Sequence, residues 1–381
     1  MFHNAAIFLA YTTTVTECND TTMREPAMVL QFEGLRGVAA VAVFFYHFHH
    51  VPALAPLTER LPGFFGTGWV FVDLFFILSG WVVGHVYHNR LATRPDAAYE
   101  FFVARAARLY PLLLTSLLAW YVVMPLLGVA VDWTGLGDCL PQLLTLSFTW
   151  GPLACTVPVA PAWSISAEAA VYLAFPLLLW SGVTRTAARA ATLIALGVLG
   201  YASLAAFGPG IHTIDGMAPI RAAFGFAMGL GLWRLGDMGN LPQGRFAAGM
   251  QIGSFFGIAA LVALGGAPFG IILLFALLVW AMVCGSGPVV KLCRTHLLVM
   301  LGRLSFGIYL WHWFAIVLMQ QASPALGPTT IAATSVALVV VWAHVSYTLI
   351  EAPGRRAIRF ALGRRPGLSA KTTRVPHENS L

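Results

Sequence analysis

Ten long apolar stretches, separated by short polar segments, are the feature that most limits what this sequence can fold into. The hydrocarbon core of a bilayer is about 30 Å thick, and a helix needs roughly 20 apolar residues to cross it. We therefore predict an all-α integral membrane protein with about ten transmembrane helices. The stretches are residues 35–51, 69–87, 110–130, 163–181, 191–208, 217–234, 248–265, 268–286, 303–320 and 328–350.

The composition excludes soluble classes of protein. Of the 381 residues, 59% are hydrophobic and 10% are charged, whereas soluble domains are about 45–50% apolar and about a quarter charged. Five cysteines are too few for a small disulfide scaffold. The net charge of +7 is compatible with nucleic-acid binding, but basic clusters beside apolar spans are typical of a cytoplasmic membrane face. The expected partner is a lipid bilayer and not a nucleic acid.

Basic residues predict the orientation of the chain. Twenty of the 22 Lys and Arg residues fall on one side of the predicted membrane, the exceptions being Arg60 and Arg221. Because basic loops stay in the cytoplasm, both termini are predicted to be cytoplasmic.

Three parts are predicted along the chain. Residues 1–28 form an N-terminal extension that lacks the basic region of a signal peptide; Met23 and Met28 are alternative starts. Residues 29–356 form the membrane domain. Residues 357–381 form a basic cytoplasmic tail.

Two histidines and two carboxylates, from four different predicted spans, fall in the central and outer layers of the membrane. A charged group at such a depth costs about 2.5–3.5 kcal/mol and usually faces a cavity or another polar group. At 1.5 Å per residue, His47 lies about 16 Å from Arg36 at the cytoplasmic boundary, and Asp73 and Glu168 lie about 6–7 Å below the outer surface. His312 falls near the midplane. These depths predict a polar cavity that opens outward.

Other interpretations of these residues stay open. Asp73 and Glu168 can pair with a histidine or with Arg221 and so hold helices together, and His312 can be a structural histidine. A transporter or a flippase of glycan precursors also needs many helices and a polar midplane. Such a protein often has inverted repeats and interrupted helices, and we see neither in this sequence.

Six motifs, in order over residues 35–356, resemble those of the membrane acyltransferase 3 family. Two positions differ from the family pattern, Phe306 and Trp81, and neither bears on the expected chemistry. The motifs are Leu35-Arg36-Gly37 with His47; Val72 to Gly80 with Asp73 and Ser79; Phe101 with Arg105, Arg108 and Pro111; Trp163-Ser164 with Glu168, Tyr172 and Pro176; Leu301-Gly302 with Ser305, Tyr309 and His312; and Glu351-Ala352-Pro353.

The resemblance implies an acyl-CoA-dependent O-acyltransferase of the bacterial inner membrane, a stand-alone member without the family's frequent extra hydrolase domain. It would take an acyl group, acetyl by default, from cytoplasmic acyl-CoA and deliver it to a hydroxyl of a carbohydrate or glycan. Some relatives instead acylate small molecules such as macrolides, and this alternative stays open. Acyl-CoA would be a co-substrate rather than a permanently bound cofactor. The oligomeric state stays open.

Specific roles follow for the matching residues. His47 is the expected general base, with Glu168 or Asp73 as its orienter. Arg105 and Arg108 are expected to bind the acyl-CoA phosphates, and Arg36 either the same phosphates or the pantetheine. The alternative role of all three is anchoring at the membrane boundary. Ser79 is either a covalent acyl carrier or part of a helix-packing pair with Gly80. Supporting roles are expected for Ser79, Trp163, Ser164, Tyr172, Ser305, Tyr309, His312 and Glu351.

The sequence predicts one disulfide and no metal site. The sequence has no zinc-ligand spacing, phosphate-binding Gly loop or dinucleotide fingerprint, so no metal is expected. Cys139 and Cys155 lie in the predicted outer loop 131–162, which would face an oxidising compartment, and we predict a disulfide between them. Cys18, Cys284 and Cys293 are expected to be reduced.

Overall fold

A computed structural model describes residues 30–94, 96–322 and 325–363, and every regular element in these ranges is helical. Ten long helices dominate it, and each of the ten predicted stretches overlaps one of them. They are α1 (Leu30–Tyr46), α2 (Phe71–Thr93), α3 (Ala97–Leu126), α4 (Trp163–Trp180), α5 (Ala187–Phe207), α6 (Ala218–Asp237), α7 (Gly244–Ala263), α8 (Pro268–Met282), α9 (His296–Ala322) and α10 (Pro328–Ser346).

Of the roughly ten predicted spans, the structure supports seven or eight. Seven helices in the described part of the chain are long and apolar enough to cross a membrane, and α1 with its bent continuation makes an eighth. Helix α8 has 15 residues, which is short for a span. Helix α6 is not among the seven or eight; it is less apolar because it carries Arg221, Arg234 and Asp237.

Shorter helices lie between and after the long ones. Beyond α1 the chain continues as the 3₁₀ turn His47–His50 and then bends by 105° at Pro52, where proline cannot extend a helix. The other short elements are Pro52–Leu54, Ala55–Thr58, Pro62–Thr67, Gly68–Val70, Trp133–Thr145, Gly151–Leu153, Ala160–Ala162, Pro288–Cys293, the π-helical turn Tyr347–Glu351 and Ala352–Gly363.

Glycines allow the inner helices to pack backbone against backbone. A Cβ atom on Gly302 of α9 would lie 1.9 Å from the carbonyl oxygen of Glu33 on α1, and one on Gly229 of α6 would lie 1.9 Å from that of Ile77 on α2. Such contacts are impossible for a larger residue, and small residues are typical of helix interfaces in membranes. Two close pairs therefore frame the molecule, α1 with α9 and α2 with α6.

The outer helices expose apolar side chains. Buried residues make up 67% of the apolar window of Pro62–Thr93 but 28% of that of α7. Leu177, Phe207, Phe256 and Leu349 are among the large hydrophobic residues on the surface. In the membrane these side chains face lipid, so the protein sits in a bilayer as a multi-pass protein.

Helix α3 begins 13 residues before the apolar stretch 110–130. Arg105 and Arg108, which the hydropathy pattern places in a loop, therefore lie inside α3. The N-terminal extension 1–28 lies outside the described residues, as does most of the tail 357–381, whose first part belongs to Ala352–Gly363. The cytoplasmic location of both termini stays a prediction.

Candidate active site

A cavity of about 160 Å³ lies among α1, α2, α3, α4 and α9. Fourteen residues other than the cysteines are predicted to belong to the site, and nine of them line this cavity. The nine are Arg36, Ser79, Arg105, Arg108, Ser164, Glu168, Tyr172, Ser305 and Tyr309.

A second cavity of about 260 Å³ adjoins the first, because Glu33, Arg36, Arg108, Ser305 and Phe306 line both. It adds two more arginines and the predicted residue Glu351. Four arginines thus face two glutamates across this space, which makes it a positively charged chamber. The residues that it adds are Gly302, Arg303, Tyr347, Glu351 and Arg355.

Arg105 is surrounded by aromatic rings. Its guanidinium carbon lies 5.4 Å from the ring centre of Tyr87, 5.8 Å from that of Phe101 and 5.4 Å from that of Tyr172. Among the described residues its buried Nε has no hydrogen-bond acceptor. Since a buried donor is normally satisfied, Arg105 is a cation with a hydrogen bond left to offer.

Glu168 bonds to neighbours inside the first cavity. Ser79 Oγ donates to Glu168 Oε1 at 2.8 Å, and the Tyr172 hydroxyl donates to the same oxygen. The two hydroxyls lie 2.9 Å apart. Among the described residues, Glu168 therefore accepts its hydrogen bonds from Ser79 and Tyr172 and not from His47.

Tyr309 links the cavity to the histidines. Its hydroxyl accepts a hydrogen bond from Ser164 Oγ at 2.8 Å, and its ring centre lies 5.9 Å from that of the fully buried His312. One ring therefore stands between the arginine-lined cavity and the imidazole behind it.

His47 and His312 form a pair whose protonation follows from their acceptors. His312 Nδ1 lies 3.2 Å from the carbonyl oxygen of Ile308, so Nδ1 carries the proton and Nε2 is an acceptor. His47 Nδ1 lies 2.9 Å from the carbonyl oxygen of Val43 and 3.2 Å from His312 Nε2. Since His47 Nδ1 must then donate, its Nε2 is left to accept a proton. The partner of His47 is thus His312, and not the expected Glu168 or Asp73.

Asp73 belongs to a different group, in the first turn of α2. Arg221 Nε and Nη2 donate to its two carboxylate oxygens at 2.9 and 2.7 Å, and the Tyr201 hydroxyl donates at 2.8 Å. The Arg221 guanidinium also lies between Trp69 and Trp163, 5.2 and 5.1 Å from their ring centres. Asp73 and Trp163 therefore hold helices together, the alternative that the sequence leaves open for Asp73.

Aromatic rings and further histidines lie next to His47. His47 lies 5.6 Å from Trp313, and Trp69 lies 4.6 Å from His212, as distances between ring centres. His49, His50 and His212 are exposed. Partial desolvation by the surrounding side chains, together with the nearby charge of Arg221, lowers the pKa of His212. We call Tyr46, His49, His50, Trp69, His212 and Trp313 the aromatic rim.

The cysteines divide into two groups. A disulfide joins Cys139 to Cys155, with their Cα atoms 5.9 Å apart. Cys293 is a free thiol, and burial raises its pKa to about 11. Cys284 is disulfide-bonded, in contrast to the reduced state expected for it, and Cys18 lies outside the described residues.

Several site residues are missed by sequence reasoning. Arg303 and Arg355 count there only toward the cytoplasmic excess of positive charge, although both line the second cavity. Their position at the predicted cytoplasmic ends of membrane segments was the available signal. The sequence contains no comparable signal for Glu33 or Tyr87. Within the described ranges, no group of three or more His, Cys, Asp or Glu residues is arranged to hold a metal ion.

Comparison with known proteins identifies the family. The sequence profile of the family described as "Acyltransferase domain" matches residues 29–348. The chain belongs to this acyltransferase family. It is 26% identical over 351 residues to a putative membrane-bound transacylase, BcsY of Komagataeibacter xylinus, covering 84% of this chain and 82% of that protein. It is 25% identical over 364 residues to a putative peptidoglycan O-acetyltransferase, YrhL of Bacillus subtilis, covering 85% of this chain.

The relatives differ in how much of their length is matched. The chain spans 54% of YrhL and 37% of the acyltransferase MdmB of Streptomyces mycarofaciens, to which it is 32% identical over 149 residues, or 38% of this chain. No solved structure matches the chain significantly. Family membership favours an O-acyltransferase over the transporter or flippase alternative.

Proposed function

We propose that the protein transfers an acyl group, acetyl by default, from acyl-CoA to a hydroxyl of a carbohydrate or glycan at the bacterial inner membrane. One observation carries the proposal: Arg36, Arg105 and Arg108, from two different helices, line a single cavity whose far wall, Tyr309, contacts the histidine pair. Donor binding and proton transfer thus have separate, adjacent places.

The donor is assigned to the two cavities. Coenzyme A carries several phosphates, and guanidinium groups bind phosphate through charge-assisted, forked hydrogen bonds. The second cavity brings Arg36, Arg108, Arg303 and Arg355 together and suits the nucleotide end. The pantetheine arm then runs into the first cavity, toward the level of His47 about 16 Å from Arg36 along the helix axis.

The acceptor is assigned to the side of the aromatic rim. His47 Nε2 takes the proton of the acceptor hydroxyl, and His47 Nδ1 stays bonded to Val43 and His312. A neutral imidazole is a suitable base near neutral pH. Tyrosine and tryptophan rings beside it offer flat apolar faces against which a sugar ring can pack. The relatives named as peptidoglycan O-acetyltransferases support a glycan as the acceptor class.

The test compares cell-envelope glycans from a strain with the gene, a deletion strain, and deletion strains that express either the wild-type chain or His47→Ala. Mass spectrometry should find an ester-linked acyl group that is lost on deletion, restored by the wild-type chain and not restored by His47→Ala. Consumption of acetyl-CoA by purified protein gives the donor directly. Unchanged glycans together with no acetyl-CoA consumption would contradict the proposal.

A further inference from the structure

The adjacent residues Ser79 and Gly80 have different surroundings in the structure. A Cβ atom on Gly80 would lie 2.1 Å from the carbonyl oxygen of Phe226 on α6, so Gly80 makes the close helix contact. Ser79 instead lines the first cavity. Consecutive residues of a helix point about 100° apart, as 3.6 residues per turn requires. The packing role of the pair belongs to Gly80, and the Ser79 hydroxyl is left to face the place assigned to the thioester.

The Ser79 hydroxyl is bonded to a carboxylate. Its proton points at Glu168 Oε1, 2.8 Å away, and the Tyr172 hydroxyl lies 2.9 Å from Ser79 Oγ. A serine becomes a nucleophile when an adjacent base within about 2.6–3.2 Å can take its proton and a third group orients that base. Glu168 fits the base, and Tyr172, which also donates to Glu168, fits the orienting group.

We propose that Ser79 carries the acyl group as a covalent ester between the donor and the acceptor. Ser79 Oγ attacks the thioester carbonyl, the C–S bond breaks, and an O-acyl bond forms. The Ser79 proton passes to Glu168 and from there to the thiolate, so that coenzyme A leaves as a thiol. In the second half, the acceptor hydroxyl attacks the ester, the bond to Ser79 breaks, and the acceptor's proton ends on the Ser79 oxygen. This inference rests on the proposed function.

Hydrogen-bond donors that can stabilise the negative charge of the first tetrahedral intermediate lie in the same cavity. Arg105 and Arg108 both line it with Ser79, and the buried Arg105 Nε has no acceptor among the described residues. Fixed donors in a water-poor site are a large source of transition-state stabilisation. An oxyanion formed beside Ser79 would give this donor an acceptor.

A covalent carrier also fits the division of the site. The arginines and Ser79 lie on one side of Tyr309, and the histidine pair lies on the other. An ester on Ser79 keeps the acyl group in the protein after coenzyme A has left, so donor and acceptor need not be bound together. Glu168 would serve the first half of the reaction and His47 the second.

Acetyl exchange tests the first half without an acceptor. Purified full-length protein is mixed with acetyl-CoA and isotope-labelled coenzyme A; an acyl-enzyme exchanges the acetyl group between them, whereas direct transfer to an acceptor does not. We expect Ser79→Ala to lower exchange at least about a hundredfold, with acetyl-CoA binding measured as a check of folding. His47→Gln should still exchange.

Two further variants make the result specific. Ser335→Ala removes another buried serine hydroxyl, on α10, which donates to the carbonyl oxygen of Ile331, and should exchange normally. Ser79→Cys keeps a nucleophile, so its acetyl label should be a thioester that neutral hydroxylamine cleaves. The wild-type label should be an oxygen ester that needs alkaline hydroxylamine.

The remaining outcomes separate this inference from the proposed function. Wild-type protein that binds acetyl-CoA and acylates glycan, but neither exchanges nor becomes labelled, would overturn the Ser79 ester and leave the function standing. Normal exchange in Ser79→Ala would do the same. Wild-type protein that neither binds nor consumes acetyl-CoA would overturn both.

Discussion

Glutamine in place of His47 or of His312 should separate the two roles in the histidine pair. Glutamine can hydrogen-bond at either position but does not accept a proton near neutral pH. If His47 Nε2 is the general base, His47→Gln should lower acyl transfer by about 10²–10⁴-fold. The protein should still insert and fold, because the lost ring is half-buried and at the end of α1.

A much smaller loss is expected for His312→Gln. His312 accepts at 3.2 Å from His47 Nδ1, but the carbonyl oxygen of Val43 accepts from the same atom at 2.9 Å and keeps the tautomer fixed. The loss is then close to that of one hydrogen bond, about 1 kcal/mol. That free energy corresponds to roughly a fivefold change in rate.

The assay is the amount of ester-linked acyl group on the glycan, per unit of membrane-inserted protein, in a deletion strain that expresses each variant. His344→Gln, at an exposed position on α10, is the matched control and should be active. Near-normal turnover of His47→Gln would refute the base assignment. An equal, large loss in both variants at normal protein levels would show that the pair acts as one unit and would refute the division of roles.

Three more predictions concern the arginines of the first cavity, the disulfide Cys139–Cys155 and the buried ion pair. Arg105→Ala combined with Arg108→Ala should raise the apparent KM for acyl-CoA strongly while the protein still inserts, since these cations line the donor cavity; steady-state kinetics with an unchanged KM would leave them a purely topological role. The disulfide Cys139–Cys155, with a separation of 16 residues, should contribute about 3 kcal/mol by loop closure; labelling of either thiol without reductant counts against it. Arg221→Leu leaves the fully buried carboxylate of Asp73 without its cation, so the free energy of unfolding should fall by about 3–5 kcal/mol. An unaltered midpoint of thermal unfolding would disprove this.

Hydropathy predicts where the helices are but not where they begin or what they contact. The segment from Tyr99 to Arg108 mixes aromatic, charged and small residues, so an apolar window misses it, although α3 runs through it. The depth of a residue along its helix axis is also not enough to predict its contacts. It places His47 and Asp73 in the outer half of the membrane, but it holds no information on which way each helix faces. The depths therefore could not show that Asp73 bonds to Arg221, or that the partner of His47 comes from α9.

Pairs of neighbouring residues show the same limit at shorter range. Ser79-Gly80 is one motif in the sequence, yet the glycine serves packing and the serine lines a cavity. The cysteine pair is easier to predict, because Cys139 and Cys155 lie in one segment between two predicted spans, only 16 residues apart, and their pairing does not depend on helix rotation. Local features were therefore accessible from sequence, whereas contacts between distant helices needed the fold.

Buried polar atoms without partners give a separate indication of where a ligand binds. In the described part of the chain seven buried side-chain nitrogen or oxygen atoms have no hydrogen-bond partner, and three of them, Arg105 Nε, Ser305 Oγ and Glu351 Oε1, belong to residues that line the two cavities. Asp73 and Arg221, which are buried just as deeply, satisfy one another. An unmet buried donor or acceptor costs about 1–3 kcal/mol, so a polar ligand that forms hydrogen bonds with these three atoms would gain affinity from them. Their clustering therefore supports the arginine cavities, rather than the buried ion pair, as the place where a polar substrate binds.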